Sequence, residues 1–426
     1  VKAILIAAPQ SGSGKTTVTL GLLRALAKSG ADIRSVKLGP DYIDPTFHAA
    51  ATGQPALNLD PWAMSPTLQH AVLSGASPLV IESAMGLFDG AGQSGKASAA
   101  EVAKAHDIPV LLVIDCARQS HSVAAMVHGF TRFDPDIRFH GLILNNVGSE
   151  RHEVMLRNAL SAQNVPIRAV LRRDKTLAQP SRHLGLVQAS EREDLPIWLD
   201  RLADWLSNAA DPTDLLADWQ PPSERRIHIN PPAQNIAIAQ DIAFSFMYPH
   251  LVRAWQNAGA RIEHFSPLRD DAVPECDLVF LPGGYPELHA GRLASNEVFL
   301  KSLRNASEHT DIYGECGGYM ALGDGIEDSH GDRHQMAGLL RLETSFARPT
   351  RHLGYRRLSA SSGPMAGNWT GHEFHHSNTL SSIGDPLFAA EDADGTTLAP
   401  MGLRRDRVYG SYAHVIAPLD ENNRQA

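Results

Sequence analysis

The stretch Ala8-Pro9-Gln10-Ser11-Gly12-Ser13-Gly14-Lys15-Thr16-Thr17 constrains the fold of this chain more than any other. Its glycines free backbone N–H groups to converge on an anion, and a following helix adds its positive end. Such a loop needs a strand that delivers the chain and a helix that carries it away. Both are legible. Val1-Lys2-Ala3-Ile4-Leu5-Ile6 reads as the incoming strand, with Ile4–Ala7 its apolar part. Thr17–Lys28 puts Val18, Leu22, Leu23 and Leu26 on one face, with Gly30 as a stop. Short apolar runs recur at Leu79–Ile81, Val110–Ile114 and Leu142–Leu144, as buried parallel strands do. The expectation is a doubly wound α/β sheet over residues 1–206.

Within the loop, Lys15 is placed to reach β- and γ-phosphates and the Thr16 hydroxyl to bind Mg²⁺. Gly12, Ser13, Gly14 and Thr17 complete the nucleotide cradle. The match to GxxxxGK[ST] departs at Pro9, where the first glycine belongs. Magnesium also needs carboxylates. Gly39-Pro40-Asp41-Tyr42-Ile43-Asp44-Pro45 offers two, and Glu82 closes the strand Leu79-Val80-Ile81, with Asp89 close behind in Gly86-Leu87-Phe88-Asp89-Gly90. A carboxylate at the carboxyl end of a parallel strand lies on the same edge as the phosphate loop. Thr16, Asp41 and Glu82 are the expected metal ligands, and for any one of these acids the plainer rival reading is a solvated loop charge. No guanine-reading Asn-Lys-x-Asp occurs, so ATP is the expected nucleotide, with Asn145 after a strand as a contact for its base.

Residues 207–234 carry Asp211-Pro212, Pro221-Pro222, Glu224-Arg225-Arg226 and Pro231-Pro232, and read as a linker. Alternating patterns resume at Ile236-Ala237-Ile238-Ala239, Leu278-Val279-Phe280-Leu281 and Ile312-Tyr313, so residues 235–426 form a second α/β domain. Each half of a 426-residue chain can bury its own core. A net charge of −9 argues against a nucleic-acid partner. No apolar run is long enough for a membrane span, and the first residues do not look like a leader. The three cysteines are too few and scattered for a disulfide framework, and a cytoplasmic enzyme is expected.

In the second domain Asp311-Ile312-Tyr313-Gly314-Glu315-Cys316-Gly317-Gly318-Tyr319-Met320 reads as strand, Gly-x-Cys-x-Gly turn, then helix. This is the thiol counterpart of the Gly-x-Ser-x-Gly nucleophile elbow. A helix N-terminus behind Cys316 lowers a thiol pKa. Gly284, in Leu281-Pro282-Gly283-Gly284-Tyr285, and Gly317 offer N–H groups for an oxyanion. His414 is the expected base. His372, His375 and His376 read as a surface or substrate-facing loop, and Cys116 and Cys276 as packing residues.

These motifs together resemble the a,c-diamide synthases of cobalamin biosynthesis. The residues that carry the resemblance are the phosphate loop, Gly39–Pro45, Met85–Gly90, Ser149–His152, Arg182-His183-Leu184-Gly185-Leu186, Pro282–Glu287 and Gly314–Met320. The resemblance implies a dethiobiotin-synthetase-like P-loop NTPase domain joined to a class I glutamine amidotransferase domain of flavodoxin-like fold. It implies ATP- and glutamine-dependent amidation of the a and c acetates of a corrin ring acid. Phe47–Gly53 and Asn58–Met64 look most like the aerobic branch, which acts on metal-free hydrogenobyrinic acid. Many class I domains place a glutamate two residues after the histidine; here that position is Ile416. What orients His414 is left open by the sequence.

On this reading Cys316 attacks the side-chain amide of L-glutamine, and His414 protonates the departing ammonia. Phosphoryl transfer from ATP makes an acyl phosphate that ammonia converts to the amide, and an enclosed route between the domains is expected. Asp41, Tyr42, Asp44, Glu82 and Asp89 are expected to face the γ-phosphate and the acceptor carboxylate, with Ile43 beside them. A homodimer is compatible with the reading. The rivals are a cobyric acid synthase-type amidotransferase and a non-enzymatic P-loop ATPase switch. Such switches carry a second lysine early in the loop, where this chain has Gln10.

Overall fold

The computed structural model describes residues 1–177, 181–182 and 185–419; His183 and Leu184, part of one motif above, lie outside the described residues. It divides into two compact units. One comprises Val1–Trp62 and Gln69–Arg225, the other Ala63–Leu68 and the chain from Arg226 onward.

The first unit is built on strands β1 (Lys2–Ala7), β2 (Arg34–Leu38), β3 (Leu57–Leu59), β4 (Leu79–Glu82), β5 (Val110–Asp115), β6 (Phe139–Val147) and β7 (Ile167–Arg172). They lie in the order β3-β2-β4-β1-β5-β6-β7, all neighbours parallel. Ile4, Leu5, Ile6, Val80, Ile81 and Val110 through Ile114 are wholly buried, which is why these strands read as unbroken apolar runs. The strand order changes direction beside β1. The carboxyl ends of β1 and β4 therefore border the crevice where such sheets bind ligands. Helix α1 (Lys15–Lys28) leaves the phosphate loop and buries Val18, Leu22, Leu23 and Leu26. It packs on the helix Leu195–Ser207, whose Leu199, Leu202 and Leu206 are buried in turn.

Of the stretch read as a linker, the first part belongs to this unit. Ala217–Asp218 pair antiparallel with Lys2 and Ala3 of β1. Trp219 is buried, and its indole N–H donates to the His106 carbonyl at 2.8 Å. Leu215, Leu216 and Trp219 supply enough apolar surface to hold the segment down despite its prolines and charges.

The second unit holds two sheets that matter for function. A six-stranded sheet has the order Arg261–Phe265, Asn235–Ala239, Leu278–Leu281, Asp311–Glu315, Val408–Ser411, Leu403–Arg405, with only the last pair antiparallel. The other is antiparallel and runs Ala389–Glu391, His352–Ala360, Gly367–His375, Ala413–Pro418. The chain passes from the first sheet to the second across Tyr412 alone. Phe244, Phe280, Phe299 and Tyr313 are among the largest fully buried side chains of this unit. No helix among the described residues is long and apolar enough to cross a membrane.

Candidate functional site

The phosphate loop has the shape its sequence demands. Gly12 and Gly14 take φ of 78° and 89°, in the left-handed region where side chains are strained. A side chain at Gly14 would also overlap the Asn145 amide. Asn145, read as a contact for the nucleotide base, is instead buried at the end of β6, and its Nδ2 donates to the Ser13 carbonyl at 3.0 Å. Its short side chain reaches the loop, so its place is that of a strut. The Ser13 hydroxyl donates to the Gln10 carbonyl at 3.0 Å. Lys15 reaches the Met85 carbonyl at 2.6 Å and the Gln10 carbonyl at 3.4 Å. Burial and the nearby charge of Lys37 push the Lys15 ammonium down to about 8. Thr17 is half-buried in the first turn of α1.

The carboxyl end of β4 gathers the charges. The Glu82 carboxylate is wholly buried and accepts from the Thr16 hydroxyl at 2.6 Å. It also accepts from Lys37 Nζ at 2.8 Å, and its other oxygen lies 2.8 Å from His48 Nε2. Lys37, the penultimate residue of β2, bridges Glu82 to Asp44, whose Oδ2 is 2.6 Å away. Burial alone would strip the Lys37 proton, but Asp44 and Glu82 outweigh it and hold Lys37 well above the ordinary lysine range. Burial likewise disfavours an ionised Glu82, but Lys37 and His48 hold it well below the usual carboxylate range. Asp44 moves the other way, to about 6, because burial and the neighbouring Asp41 exceed the pull of Lys37.

Asp44 and His48 sit one turn apart on helix α2 (Asp44–Thr52), so one helix face delivers Asp44 to Lys37 and His48 to Glu82. The Asp41 carboxylate starts that helix by accepting the N–H groups of Ile43 and Asp44, at 2.8 and 2.9 Å. Asn58 on β3 pins the same turn through the Gly39 and Asp41 carbonyls. Tyr42 and Ile43, read as substrate contacts, are more than nine-tenths buried and pack the turn. Asp89 is exposed, and its Oδ2 accepts the Gly86 N–H at 2.8 Å, closing the loop after β4. Lys37 and His48 were missed by sequence reasoning. The signal was slight: a lysine between Val36 and Leu38, and a histidine four residues after an acid.

In the second unit Cys316 follows the strand Asp311–Glu315 with φ 46° and ψ −105°, a conformation costly for a non-glycine residue. It then enters the helix Gly317–Leu322. The Cys316 N–H donates to the Ser411 carbonyl at 2.8 Å, and its Sγ is 3.8 Å from the Phe374 carbonyl. The sequence led us to expect a lowered thiol pKa. Burial, joined by the charge of Glu287, outweighs the Gly317 N–H and pushes the thiol well above its ordinary value. The following helix is only six residues long, too weak a dipole to reverse that.

His414 is wholly buried on the strand Ala413–Pro418, directly opposite His372. Burial, with His372 and His375 beside it, pushes the imidazole down to about 3, so it is neutral and able to accept a proton. His414 and Cys316 converge on Gly283. A methyl group there would stand 2.9 Å from His414 Nε2 and 3.2 Å from the Cys316 Cβ. The Cβ of a side chain at Gly317 would come within 3.0 Å of the Gly284 nitrogen, so the two glycine backbones meet beside the thiol. Glu315 Oε2 lies 3.6 Å from His414 Nδ1.

His372 and His375 are buried on the strand Gly367–His375 rather than on a loop. His375 Nε2 pairs with Glu373 at 3.0 Å, and Arg356 holds the other Glu373 oxygen at 2.6 Å. His372 and His375 lie three residues apart, on opposite faces of a strand that is covered on both sides there, which His-Glu-Phe-His-His does not announce. Cys116 is buried, with burial raising its thiol to about 12, while Cys276 is half-buried. Among the described residues no group of three or more His, Cys, Asp or Glu side chains is arranged to hold a metal ion.

Fold and sites together define a P-loop nucleotide-binding unit followed by a glutamine amidotransferase unit. Residues 4–187 match the family model of the CobQ/CobB/MinD/ParA nucleotide binding domain, and residues 235–422 that of the CobB/CobQ-like glutamine amidotransferase domain. The chain is 49% identical to the hydrogenobyrinate a,c-diamide synthase of Brucella anthropi, covering 98% of each. Identity to the enzyme of the same name from Brucella abortus is 50%, over 98% of each chain. For that of Rhizobium meliloti it is 48%, over 97% of this chain and 98% of the other. The chain belongs to the hydrogenobyrinate a,c-diamide synthase family.

Proposed function

We propose that this chain uses ATP and glutamine to amidate the a and c acetate carboxylates of hydrogenobyrinic acid, in the cytosol where both co-substrates are made. The observation that carries the reading is the pairing, in one chain, of a buried Thr16–Glu82–Lys37–Asp44 cluster behind a phosphate loop with a strained cysteine elbow facing His414.

A carboxylate is a poor acyl donor because its leaving group is oxide. Phosphoryl transfer from ATP to the ring acetate gives an acyl phosphate and ADP. Lys15, whose charge is held on a short tether to the Met85 carbonyl, offsets the charge gathering on the transferred group. Lys37 lies fixed between two carboxylates and is the second cation of the site. The Thr16 hydroxyl and the Glu82 carboxylate, 2.6 Å apart, are hard oxygen donors of the kind Mg²⁺ takes, and Asp44 stands behind them. Bound there, Mg²⁺ supplies Lewis-acid neutralisation of the phosphates. Asp41, engaged in starting α2, serves best as the holder of Asp44.

In the second unit the Cys316 thiol gives its proton to His414 as sulfur attacks the glutamine amide carbon. The oxyanion meets the N–H groups near Gly284 and Gly317. His414 then protonates the leaving ammonia, and water releases glutamate from the thioester. Ammonia displaces phosphate from the acyl phosphate to give the amide.

Mass spectrometry of products from metal-free and cobalt-containing ring acids, with ATP, Mg²⁺ and glutamine, tests the reading. Two amidations of the metal-free acid are expected. Cys316→Ala should lose the glutamine-driven reaction and keep the ammonia-driven one, whereas Asp44→Asn should lose both. Full activity of Asp44→Asn, or amidation at other side chains, would overturn the assignment.

A further inference from the structure

We propose that His48 is a positioning residue of the phosphoryl-transfer site: it holds one Glu82 oxygen so that the other stays turned to Thr16. This rests on the reading of Thr16 and Glu82 as the magnesium ligands. The mechanism above gives His48 no part, yet its imidazole is wholly buried at the centre of that chemistry.

Glu82 closes β4, and the two oxygens of its carboxylate have different partners. Oε1 accepts from the Thr16 hydroxyl at 2.6 Å and from Lys37 Nζ at 2.8 Å. Oε2 has His48 Nε2 at 2.8 Å, and both side chains of that contact are wholly buried. Without His48, the hydrogen bonds that the described residues make to this carboxylate would all fall on one oxygen. A carboxylate held at one oxygen pivots about it, and the soft, two-fold torsion at the end of a glutamate lets the oxygens exchange. A second anchor on Oε2 removes both freedoms. An ionised carboxylate only accepts, so Nε2 carries the hydrogen of this contact. Nδ1 is buried with no hydrogen-bond partner among the described residues. The ring has one polar task, and it is Glu82.

The helix fixes where His48 stands. The Asp41 carboxylate starts α2, and Asp44, one turn before His48, is 2.6 Å from Lys37 Nζ. Phe47, beside His48, packs edge-on against Trp198 with ring centroids 6.2 Å apart. Helix α2 is thus a post from which the ring reaches the end of β4. A residue that only filled this space would be apolar, since burying an imidazole with one bare nitrogen costs stability that a leucine would not. A metal-binding carboxylate gains from such support. Losing the group that orients a ligand lowers metal affinity by about 10–100-fold.

The experiment is Mn²⁺ titration of the full chain with a non-hydrolysable ATP analogue, read by electron paramagnetic resonance, for wild type, His48→Gln, His48→Asn and His48→Leu. Melting temperature and metal-free binding of the analogue are recorded for each. The glutamine amide can reach Glu82 as Nε2 does, whereas the asparagine amide is too short. His48→Gln should bind Mn²⁺ within about threefold of wild type, and His48→Asn and His48→Leu about 10–100-fold more weakly, with metal-free binding little changed. The Mg²⁺ concentration for half-maximal ammonia-driven amidation should shift in the same order. A folded His48→Leu or His48→Asn within about threefold of wild type overturns the proposal, as does a His48→Gln as weak as His48→Leu. If His48→Leu does not fold, the comparison of His48→Gln with His48→Asn decides, because these two amides differ only in reach. Failure of the underlying metal reading looks different: Glu82→Gln would then bind Mn²⁺ as tightly as wild type.

Discussion

Adding one methyl group at Gly283 should disable glutamine hydrolysis while leaving the chain folded. The methyl carbon would stand 2.9 Å from His414 Nε2 and closer still to the adjacent ring carbon, and 3.2 Å from the Cys316 Cβ. Ordinary contact needs at least about 3.5 Å, so the ring must retreat by half an ångström or more. It has little room to do so, being wholly buried between His372 and Glu315. Overpacking of this kind costs about 1–3 kcal/mol of stability. Catalytic groups tolerate about 0.5 Å of misplacement, and an error of about 1 Å costs on the order of 100-fold in rate. Gly283→Ala should therefore show a glutaminase kcat reduced by about 100-fold and a melting temperature a few degrees lower. Amidation driven by ammonium salts, which bypasses the thiol, reports on the rest of the molecule. A Gly283→Ala enzyme hydrolysing glutamine within about threefold of wild type would refute the convergence of Cys316 and His414 on this spot.

Lys37→Met should destabilise the first unit by about 3–5 kcal/mol in urea titration, because it leaves Asp44 and Glu82 buried without their shared cation. A loss below about 1 kcal/mol would mean that the cluster is solvated. His250 is wholly buried, and burial, only partly offset by the Ile416 carbonyl, lowers it to about 4 from an ordinary 6.5. The unfolded chain binds that proton first, so its contribution is full above about pH 6.5 and is lost as pH falls toward 4. Urea titrations of wild type against His250→Asn should differ by up to about 3 kcal/mol more at the top of that window than at the bottom. Parallel pH curves would contradict this.

The parallel sheets were legible because buried parallel strands announce themselves. Ile4–Ala7, Leu79–Ile81 and Val110–Ile114 are apolar on both faces, and each lies inside an observed strand. The antiparallel sheet was not, since His352–Ala360 and Gly367–His375 mix charged, aromatic and small residues with no regular apolar alternation. Likewise Lys15, Glu82, Cys316 and His414 could be picked out because a loop, a strand end or a glycine elbow marks each. Lys37 and His48 carry no such mark. Their places come from side chains that meet only after β2, α2 and β4 are laid beside one another, a pairing set by strand order rather than by spacing along the chain. Asn145 was marked by its place near the end of β6, but the spacing could not show that its amide holds the Ser13 carbonyl of the phosphate loop.

Tyr412 is the only residue between Ser411, in one sheet, and Ala413, in the other. Side chains alternate with a period of two along a strand, so one inserted or deleted residue at this joint would turn His414 away from the thiol and present its neighbour instead. Over generations this junction should keep its length while the turn at residues 361–366 is free to grow and shrink. A ruler of one residue sets where His414 stands relative to Cys316.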